Sequence, residues 1–303
     1  MKRQFQKIWQ EVNKNQIAEL ICQINGEEYH RIFRPKQRLI LLGAGHVAIP
    51  VCHLANMLGF SVIVADDRPS YANSTRFPEA SQIICDDFTN ALYDLSINEN
   101  DFVVIVTRGH RYDATCIRTI LGRKMPYYIG MMGSRKRVTA LLDMLEQEGF
   151  PRNLLQKVHT PIGLPIGAMT VEEIAVSIMA EIIQVRRQEA RILSKEHILT
   201  EELYDEKVLN ELVEKDIPKC LLMVYKTEGS TPVKSGAFMT IDKDMIVNGT
   251  IGGGCVEAAL VKKAYKMIGS GLAECVTYDM NNDIASEMGM VCGGTMYVYI
   301  IDL

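Results

Sequence analysis

Residues 39–48 read Leu-Ile-Leu-Leu-Gly-Ala-Gly-His-Val-Ala, and they carry the strongest fold signal in the chain. Residues 39–42 are apolar and predict a buried β-strand, which Gly43 and Gly45 follow directly. Glycine is needed at these two positions because a side chain would block both the tight turn and a ligand's phosphates. The helix predicted after the turn offers free N–H groups and a partial positive charge to an anion. The stretch therefore predicts the start of a Rossmann-type domain that holds a phosphate-bearing ligand.

A second predicted strand, residues 61–65, ends at Asp66 and Asp67. In dinucleotide-binding folds an acid at this place, about twenty residues beyond the glycines, binds a ribose hydroxyl. If a nicotinamide dinucleotide binds, the two acids predict discrimination against the 2′-phosphate of NADPH. The strand, the helix and the acids together make the glycine turn a specific signal, which it would not be alone.

Residues 82–84, 102–106 and 127–129 predict three more strands, and helical stretches lie between most of the strands. This alternation predicts an α/β fold built on a doubly wound parallel sheet. Ligands of such sheets lie outside the carboxyl ends of the strands, where the strand order reverses. The polar loops at these ends carry further candidate cofactor-binding residues, namely Arg68, Arg108, His110, Gly133, Ser134 and Arg135. We expect the arginines to face an anion there.

Some of these candidate residues can have roles other than cofactor binding. The glycine turn can connect a strand to a helix without binding anything. His46, in the first turn of that helix, is a candidate for the same site but can equally be solvated. His110 is a candidate only because it lies between Arg108 and Asp113 in a loop at the predicted crevice.

The length of 303 residues favours two domains. Residues 1–35 predict a helix followed by a hairpin arm, because Asn25-Gly26 stands between two strand-like runs. The Rossmann-type domain is assigned to residues 36–194, and its last helix starts at a capping box formed by Thr170 and Glu173. A charge-rich stretch, residues 195–219, marks the domain boundary. Residues 205–303 predict a smaller α+β domain with its own glycine-rich turns.

This smaller domain has two cysteines in glycine-rich turns. Gly252, Gly253 and Gly254 are candidate cofactor-binding residues, and they precede Cys255 at a predicted helix start, where backbone N–H groups lower the pKa of a thiol. Cys292 stands beside two glycines ahead of the last predicted strand. A soft thiolate pair suits a persulfide or a soft metal, so both cysteines are candidate catalytic residues and Cys255 is a candidate metal ligand. The alternative is that both are small buried side chains in tight turns.

Composition narrows the class of protein. The formal net charge is -4 with both signs mixed, so no basic field gathers nucleic acid. No apolar run approaches the ~20 residues that span a bilayer, and the start lacks the apolar section of a signal peptide. None of the eight cysteines belongs to a C-x-x-C unit. We expect a cytoplasmic homo-oligomer that binds neither nucleic acid nor membranes.

Taken together, these motifs resemble the XdhC/CoxI family, accessory proteins of molybdenum-containing hydroxylases such as xanthine dehydrogenase. The matching stretches are residues 42–48, 66–69, 76–78, 107–110, 129–135, 161–168, 228–232, 249–257 and 292–294, together with Asp113. In the usual layout of the family the glycine–cysteine domain comes first, whereas here it follows the Rossmann-type domain.

The resemblance implies that the chain binds the molybdenum cofactor, as molybdopterin or its dinucleotide form. It also implies help with sulfuration of the cofactor alongside a cysteine desulfurase, and delivery to an apo molybdenum hydroxylase. The chain would then be a maturation chaperone more than a stand-alone enzyme. NAD(H) is a further candidate ligand of the Rossmann-type domain.

Two other functions stay open. An NAD-dependent oxidoreductase would need a proton donor beside the nicotinamide, for which His110 is a modest candidate. A redox sensor would bind a dinucleotide and oxidise its cysteines.

Overall fold

The structure is a computed structural model that describes residues 1–14, 16–192, 198–199, 206–252, 254–280 and 293–303. Its helices are α1 (Lys2–Asn13), α2 (Ala48–Met57), α3 (Phe88–Leu95), α4 (His110–Leu121), α5 (Arg135–Gln147), α6 (Arg152–Leu155), α7 (Val171–Ile192), α8 (Glu206–Glu214) and α9 (Gly254–Met267). Its strands are β1 (Ala18–Ile24), β2 (Glu27–Phe33), β3 (Arg38–Leu42), β4 (Ser61–Ala65), β5 (Gln82–Ile84), β6 (Phe102–Ile105), β7 (Tyr128–Met131), β8 (Ile198–Leu199), β9 (Lys219–Gly229), β10 (Phe238–Asp242), β11 (Val247–Gly249), β12 (Ala273–Asp279) and β13 (Gly294–Asp302).

The described chain divides into two compact units. The first, which we call the Rossmann unit, comprises residues 36–192. The second, the antiparallel unit, combines residues 1–35 with residues 193–303, so the N-terminal arm belongs with the C-terminal part of the chain. Within the described residues, no helix is long and apolar enough to cross a bilayer.

The Rossmann unit is built on a parallel sheet with the strand order β5-β4-β3-β6-β7. Ile40 and Leu42 pack with α3, α4 and α5, whereas Leu39 and Leu41 pack with α2 and α7. Successive residues of a strand point to opposite faces, so both faces of the sheet are buried under helices. This arrangement confirms the predicted α/β, doubly wound parallel sheet.

The strand order reverses between β3 and β6, because β4 and β5 lie on one side of β3 while β6 and β7 lie on the other. The last helix, α7, starts at the predicted capping box. Thr170 Oγ1 accepts a hydrogen bond from the N–H of Glu173 at 3.3 Å, and Glu173 accepts one from the N–H of Thr170 at 3.0 Å.

The antiparallel unit contains a five-stranded sheet with the order β11-β10-β9-β13-β12. Alternate residues of β9 again divide between two cores. Leu221 and Met223 pack with α1, α8 and the β1–β2 hairpin, whereas Leu222 and Val224 pack with α9. The sheet and its helices confirm the smaller α+β domain expected after the Rossmann-type domain.

The β1–β2 hairpin turns at Asn25 and Gly26, which have φ angles of 53° and 85°. Positive φ at both turn positions is the reason why Asn-Gly favours two-residue hairpins. The charge-rich stretch expected at the domain boundary contains α8, whose Val208, Leu209 and Leu212 are buried in the core of the antiparallel unit. An apolar helix face thus ties this stretch to the second sheet in spite of its charged residues.

Candidate functional site

The glycine turn between β3 and α2 lies against the end of β6. Gly43 has a φ of 112°, and a Cβ on it would collide with the backbone carbonyl of Val106. A Cβ on Gly45 would have no other protein atom within 4 Å. The packing of the protein itself therefore requires Gly43, whereas Gly45 borders open space. His46 follows as an exposed residue in the turn ahead of α2.

Asp66, at the carboxyl end of β4, is buried and its carboxylate is fully engaged. Oδ2 accepts hydrogen bonds from the N–H of Ala44 at 2.8 Å and from Nη2 of Arg68 at 2.9 Å. Oδ1 accepts from the N–H of Arg68 at 3.1 Å and from its Nε at 2.8 Å. Burial opposes ionisation, but these hydrogen bonds prevail and hold the pKa of Asp66 below its usual value. The carboxylate therefore fixes the middle of the glycine turn.

Asp67, the next residue, forms a two-pronged ion pair with Arg108 from the loop between β6 and α4. The two N–O distances are both 2.8 Å. Arg108 also donates to the hydroxyl of Tyr112 at 2.5 Å, and its guanidinium lies 4.5 Å from the centre of that ring. The structure thus brings together the loops after β4 and β6, the two strands that flank β3. We call this region, residues 43–46, 66–76 and 107–113, the Rossmann crevice.

Tyr71 and Arg76 also lie in the Rossmann crevice, although sequence reasoning gave them no role. The guanidinium carbons of Arg68 and Arg76 lie 3.7 Å and 5.0 Å from the centre of the Tyr71 ring. Nη2 of Arg76 donates to the carbonyl oxygen of Ala44 at 3.4 Å. Arg76 therefore stands next to the glycine turn. The sequence signal that could have found it is a second arginine in the long loop between β4 and β5.

Asp113 holds the loop after β6 from the first turn of α4. It is buried, and it accepts a hydrogen bond from the hydroxyl of Thr107 at 2.6 Å and one from Arg137 at 3.5 Å. The backbone of His110 begins α4, but its side chain lies outside the described residues.

The loop after β7 leads directly into α5. A Cβ on Gly133 would come within 3.0 Å of Val138, so this glycine allows a close turn. Ser134 is the N-cap residue of α5 without a side-chain cap, and Ser134 and Arg135 are exposed. No hydrogen bond or ion pair within the described residues joins these two residues to the Rossmann crevice.

A polar network beside β7 was not expected from the sequence. Glu181 of α7 accepts hydrogen bonds from the hydroxyl of Tyr128 at 2.6 Å and from the N–H of Gly163 at 3.0 Å. His159 lies 3.4 Å from the other carboxylate oxygen. Burial opposes ionisation of Glu181, but hydrogen bonds from His159, Tyr128 and Gly163 hold its pKa below the usual value. The network anchors residues 161–168, one of the motifs of the resemblance.

In the antiparallel unit, glycine-rich loops approach one another at the end of the sheet. A Cβ on Gly294 would lie 2.6 Å from the carbonyl oxygen of Ser230, and one on Gly229 would lie 2.9 Å from that of Gly293. Gly252 has a φ of 120°, and a Cβ there would lie 2.6 Å from Pro232. We call residues 228–232, 249–252 and 293–294 the glycine crossing. Three motifs that are far apart in sequence meet in it.

The helix that follows the glycine crossing, α9, begins at Gly254, which has a φ of 68°. Glu257 accepts hydrogen bonds from the hydroxyl of Thr250 at 2.6 Å and from the N–H of Ile251 at 3.0 Å. Its side chain therefore ties the first turn of the helix to the preceding loop, as a capping residue does. The backbone of Cys255 belongs to this first turn.

The two candidate cysteines stay predictions. The side chain of Cys255 lies outside the described residues, as do Gly253 and Cys292 altogether. Among the residues that are described, no group of three or more His, Cys, Asp or Glu side chains is placed to hold a metal ion.

Other cysteines are buried thiols with little nucleophilic character. Burial raises the pKa of Cys22 and of Cys52 to about 11, and that of Cys220 to about 12. Burial also raises the pKa of Cys116, which is inaccessible in α4. Cys275, on β12, is half-buried, and burial raises its pKa as well.

Comparison with known families gives two matches in this chain. The model described as the XdhC Rossmann domain matches residues 39–182, and the model of the XdhC and CoxI family matches residues 212–279. The Rossmann domain thus precedes the CoxI-like stretch, which confirms the order inferred from the sequence.

The chain is also similar to curated proteins and to a solved structure. It is 40% identical over 156 residues to a probable xanthine dehydrogenase subunit from Bacillus subtilis, and the match covers 52% of this chain and 45% of the relative. It is 33% identical over 152 residues to YqeB of Escherichia coli, an uncharacterized protein, with 50% and 28% covered. A crystal structure from Bacillus halodurans, described as a xanthine dehydrogenase, matches with a TM-score of 0.50 and 34% identity over 55% of this chain and 49% of that one. The chain therefore matches less than half the length of each of these proteins.

Proposed function

Because this chain belongs to the XdhC and CoxI family, we propose that it is an accessory protein for molybdenum hydroxylases of the xanthine dehydrogenase type. In this proposal it binds the molybdenum cofactor, assists its sulfuration together with a cysteine desulfurase, and delivers it to the apo-hydroxylase. The name of the Bacillus subtilis relative supports a link with xanthine dehydrogenase.

The observation that carries the proposal is the open space at Gly45. This space lies between the start of α2 and the loop after β4, which contains Arg68 and Arg76. The molybdenum cofactor has a phosphate on its pterin, and a phosphate needs N–H donors and positive charge. The turn before α2 has N–H groups at the start of a helix, and Arg76 lies within 3.4 Å of that turn. Gly45 adds no side chain that would fill the space. These residues fit the phosphate end of the cofactor.

The sulfur chemistry is assigned to the antiparallel unit. When bound, the cofactor supplies a molybdenum centre with sulfur ligands. Cys255 lies in the first turn of α9, where the helix dipole stabilises a thiolate. A thiolate can carry a persulfide sulfur or contact a soft metal ion, which a serine at the same place cannot do. The close approach of the loops in the glycine crossing fixes the backbone from which this helix starts.

A graded pair of substitutions at Gly45 tests the proposal. In Gly45→Ala and Gly45→Val the added atoms fill the open space, so we expect the affinity for molybdopterin to fall stepwise, by about tenfold or more for valine. The melting temperature should stay close to that of the wild type, because a Cβ there meets no protein atom. Unchanged affinity of the valine variant in a titration would refute binding of the cofactor at this turn.

The molybdenum and pterin content of the freshly purified protein distinguishes the main alternative. Bound pterin with molybdenum supports the accessory role. Substrate-dependent formation of NADH without bound pterin would instead identify an NAD-dependent oxidoreductase.

A further inference from the structure

We propose that Arg68 and Arg76, both packed against Tyr71, form a second anion subsite that binds a phosphomonoester dianion beside the glycine turn. The subsite lies in the loop after β4 and adjoins the turn before α2 through the contact of Arg76 with Ala44. It deepens the proposed function and rests on it, since it specifies which kind of phosphate the Rossmann crevice accepts.

The position of the subsite follows from the contacts of Ala44. The N–H of Ala44 donates to Asp66 at 2.8 Å, and the carbonyl oxygen of Ala44 accepts from Arg76 at 3.4 Å. The loop after β4 therefore holds the glycine turn through both backbone groups of Ala44. A ligand whose phosphate lies at Gly45 would have the Arg76 guanidinium, bound to the preceding residue, close by.

The ion pairs described for the loop after β4 do not include Arg76. Arg68 neutralises Asp66, and Arg108 neutralises Asp67, each through two N–O contacts of 2.9 Å or less. Arg76 makes no ion pair with any described carboxylate. Its buried Nε also has no hydrogen-bond partner among the described residues. With no described carboxylate to neutralise it, the Arg76 guanidinium keeps its full positive charge beside the glycine turn.

A phosphomonoester suits this arrangement better than a neutral ribose does. It carries a charge of about −1.5 to −2 near neutral pH and three acceptor oxygens. The planar guanidinium matches such a group in a two-pronged geometry, and Tyr71 holds the planes of both arginines in place. In Rossmann folds an arginine near the end of the second strand accommodates the 2′-phosphate of NADP.

This inference reverses the cofactor preference expected from the acids alone. Asp66 and Asp67 predict selection against a 2′-phosphate only if their oxygens are free to bind a ribose. In the structure both carboxylates are occupied by arginines of the same crevice. The phosphomonoester can be the 2′-phosphate of a dinucleotide or the terminal phosphate of molybdopterin, and the two sources can be separated by experiment.

NADP⁺ and NAD⁺ are matched probes because they differ only in the 2′-phosphate. Calorimetric titration of the full chain with each, and with molybdopterin, should be repeated on Arg76→Gln and on Arg76→Lys. Arg118→Gln is the control, because Arg118 makes a similar two-pronged pair with Glu148 near the last turn of α4, away from the crevice. Melting temperatures show whether each variant is folded.

If the subsite binds the 2′-phosphate of a dinucleotide, the wild type should bind NADP⁺ at least tenfold more tightly than NAD⁺. Arg76→Gln should remove that preference, Arg76→Lys should keep part of it, and Arg118→Gln should keep all of it. If the subsite binds the phosphate of molybdopterin, the affinity of the protein for molybdopterin should fall at least tenfold in Arg76→Gln and remain unchanged in Arg118→Gln.

If no affinity depends on Arg76 in folded variants, the subsite is refuted. Molybdopterin binding that is lost in Gly45→Val but insensitive to Arg76 would leave the proposed function standing while overturning this inference. If the wild type binds no molybdopterin but shows the Arg76-dependent preference for NADP⁺, the proposed function fails and the subsite remains.

Discussion

The Rossmann crevice and the glycine crossing differ in what determines their shape. In the crevice, charged side chains pair across loops, as Asp66 does with Arg68 and Asp67 with Arg108. In the glycine crossing, backbones approach so closely at Gly229 and Gly294 that a Cβ would collide with a neighbouring carbonyl oxygen. Gly43 lies in the crevice but is required by packing, as the glycines of the crossing are, whereas its neighbour Gly45 leaves open space. Substitutions can separate these two roles.

Cys255→Ser should have the largest functional effect, because the sulfur chemistry proposed for the antiparallel unit depends on the thiolate of Cys255. Serine preserves the shape but replaces a soft nucleophile with a hard, weak one. We expect a folded protein that binds the cofactor's phosphate end but fails to yield active hydroxylase with cofactor, sulfur donor and apo-enzyme. Cys275→Ser, on β12, is the control and should at most reduce stability. Full maturation activity of Cys255→Ser would leave Cys255 a packing residue.

Gly43→Ala should cause the largest loss of stability. The φ of 112° is strained for alanine by about 1–3 kcal/mol, and the collision with Val106 adds about 1–3 kcal/mol. Urea denaturation should therefore show a free energy of unfolding about 4 kcal/mol lower than that of the wild type. Gly45→Ala is the matched control and should stay within about 0.5 kcal/mol. Equal losses at both positions would contradict the division of roles between the two glycines.

Asp66→Asn should cost about 2 kcal/mol, because a charged acceptor of several hydrogen bonds is replaced by an amide. The loss should depend on pH. The pKa of Asp66 is lowered from 3.8, since hydrogen bonds from Arg68 and Ala44 outweigh the opposing effect of burial. The extra free energy of unfolding of the wild type over Asp66→Asn is therefore fully present well above pH 3.8. It disappears as the pH falls through the lower pKa of Asp66 in the folded state. Denaturation curves of both proteins should converge in acid. A constant difference at all pH values would show that the charge of Asp66 is not what stabilises the turn.

Glu257→Ala should have the smallest effect, about 1 kcal/mol, since it removes the two hydrogen bonds that tie α9 to Thr250 and Ile251. Thermal unfolding measures this loss, and Lys263→Ala, in the exposed pair with Glu274, provides a control on the same helix. A similar cost for both substitutions would mean that Glu257 is an ordinary surface residue and that close backbone packing alone holds the glycine crossing.

Much of the fold could be predicted because its signals are local. The apolar strands of the parallel sheet, the Asn25-Gly26 turn and the capping box at Thr170 each depend on a few neighbouring residues. The role of α8 was missed, because its four charged residues equal its four apolar ones in number and make the stretch look solvated. The strand β11 was missed because three residues give too short a pattern.

The candidate sites could be predicted only in part. The sequence identified Asp66, Asp67, Arg68 and Arg108 as members of one crevice, but not which carboxylate pairs with which arginine. That pairing depends on side-chain rotamers and on how close the folded chain brings distant residues. Asp67 and Arg108, for example, are 41 positions apart in sequence. For the same reason Arg76 gained a role only from its distance to Ala44.

Local sequence patterns were sufficient to predict a doubly wound parallel sheet, a second α+β domain and two sets of glycine-rich turns, because periodicity and turn chemistry act over short distances. Three features became visible only in the folded chain: the N-terminal arm packs with the C-terminal sheet, Val106 requires Gly43, and both acids after β4 are already neutralised. These features depend on contacts between distant segments, and such contacts form only when burial of the two cores brings the segments together.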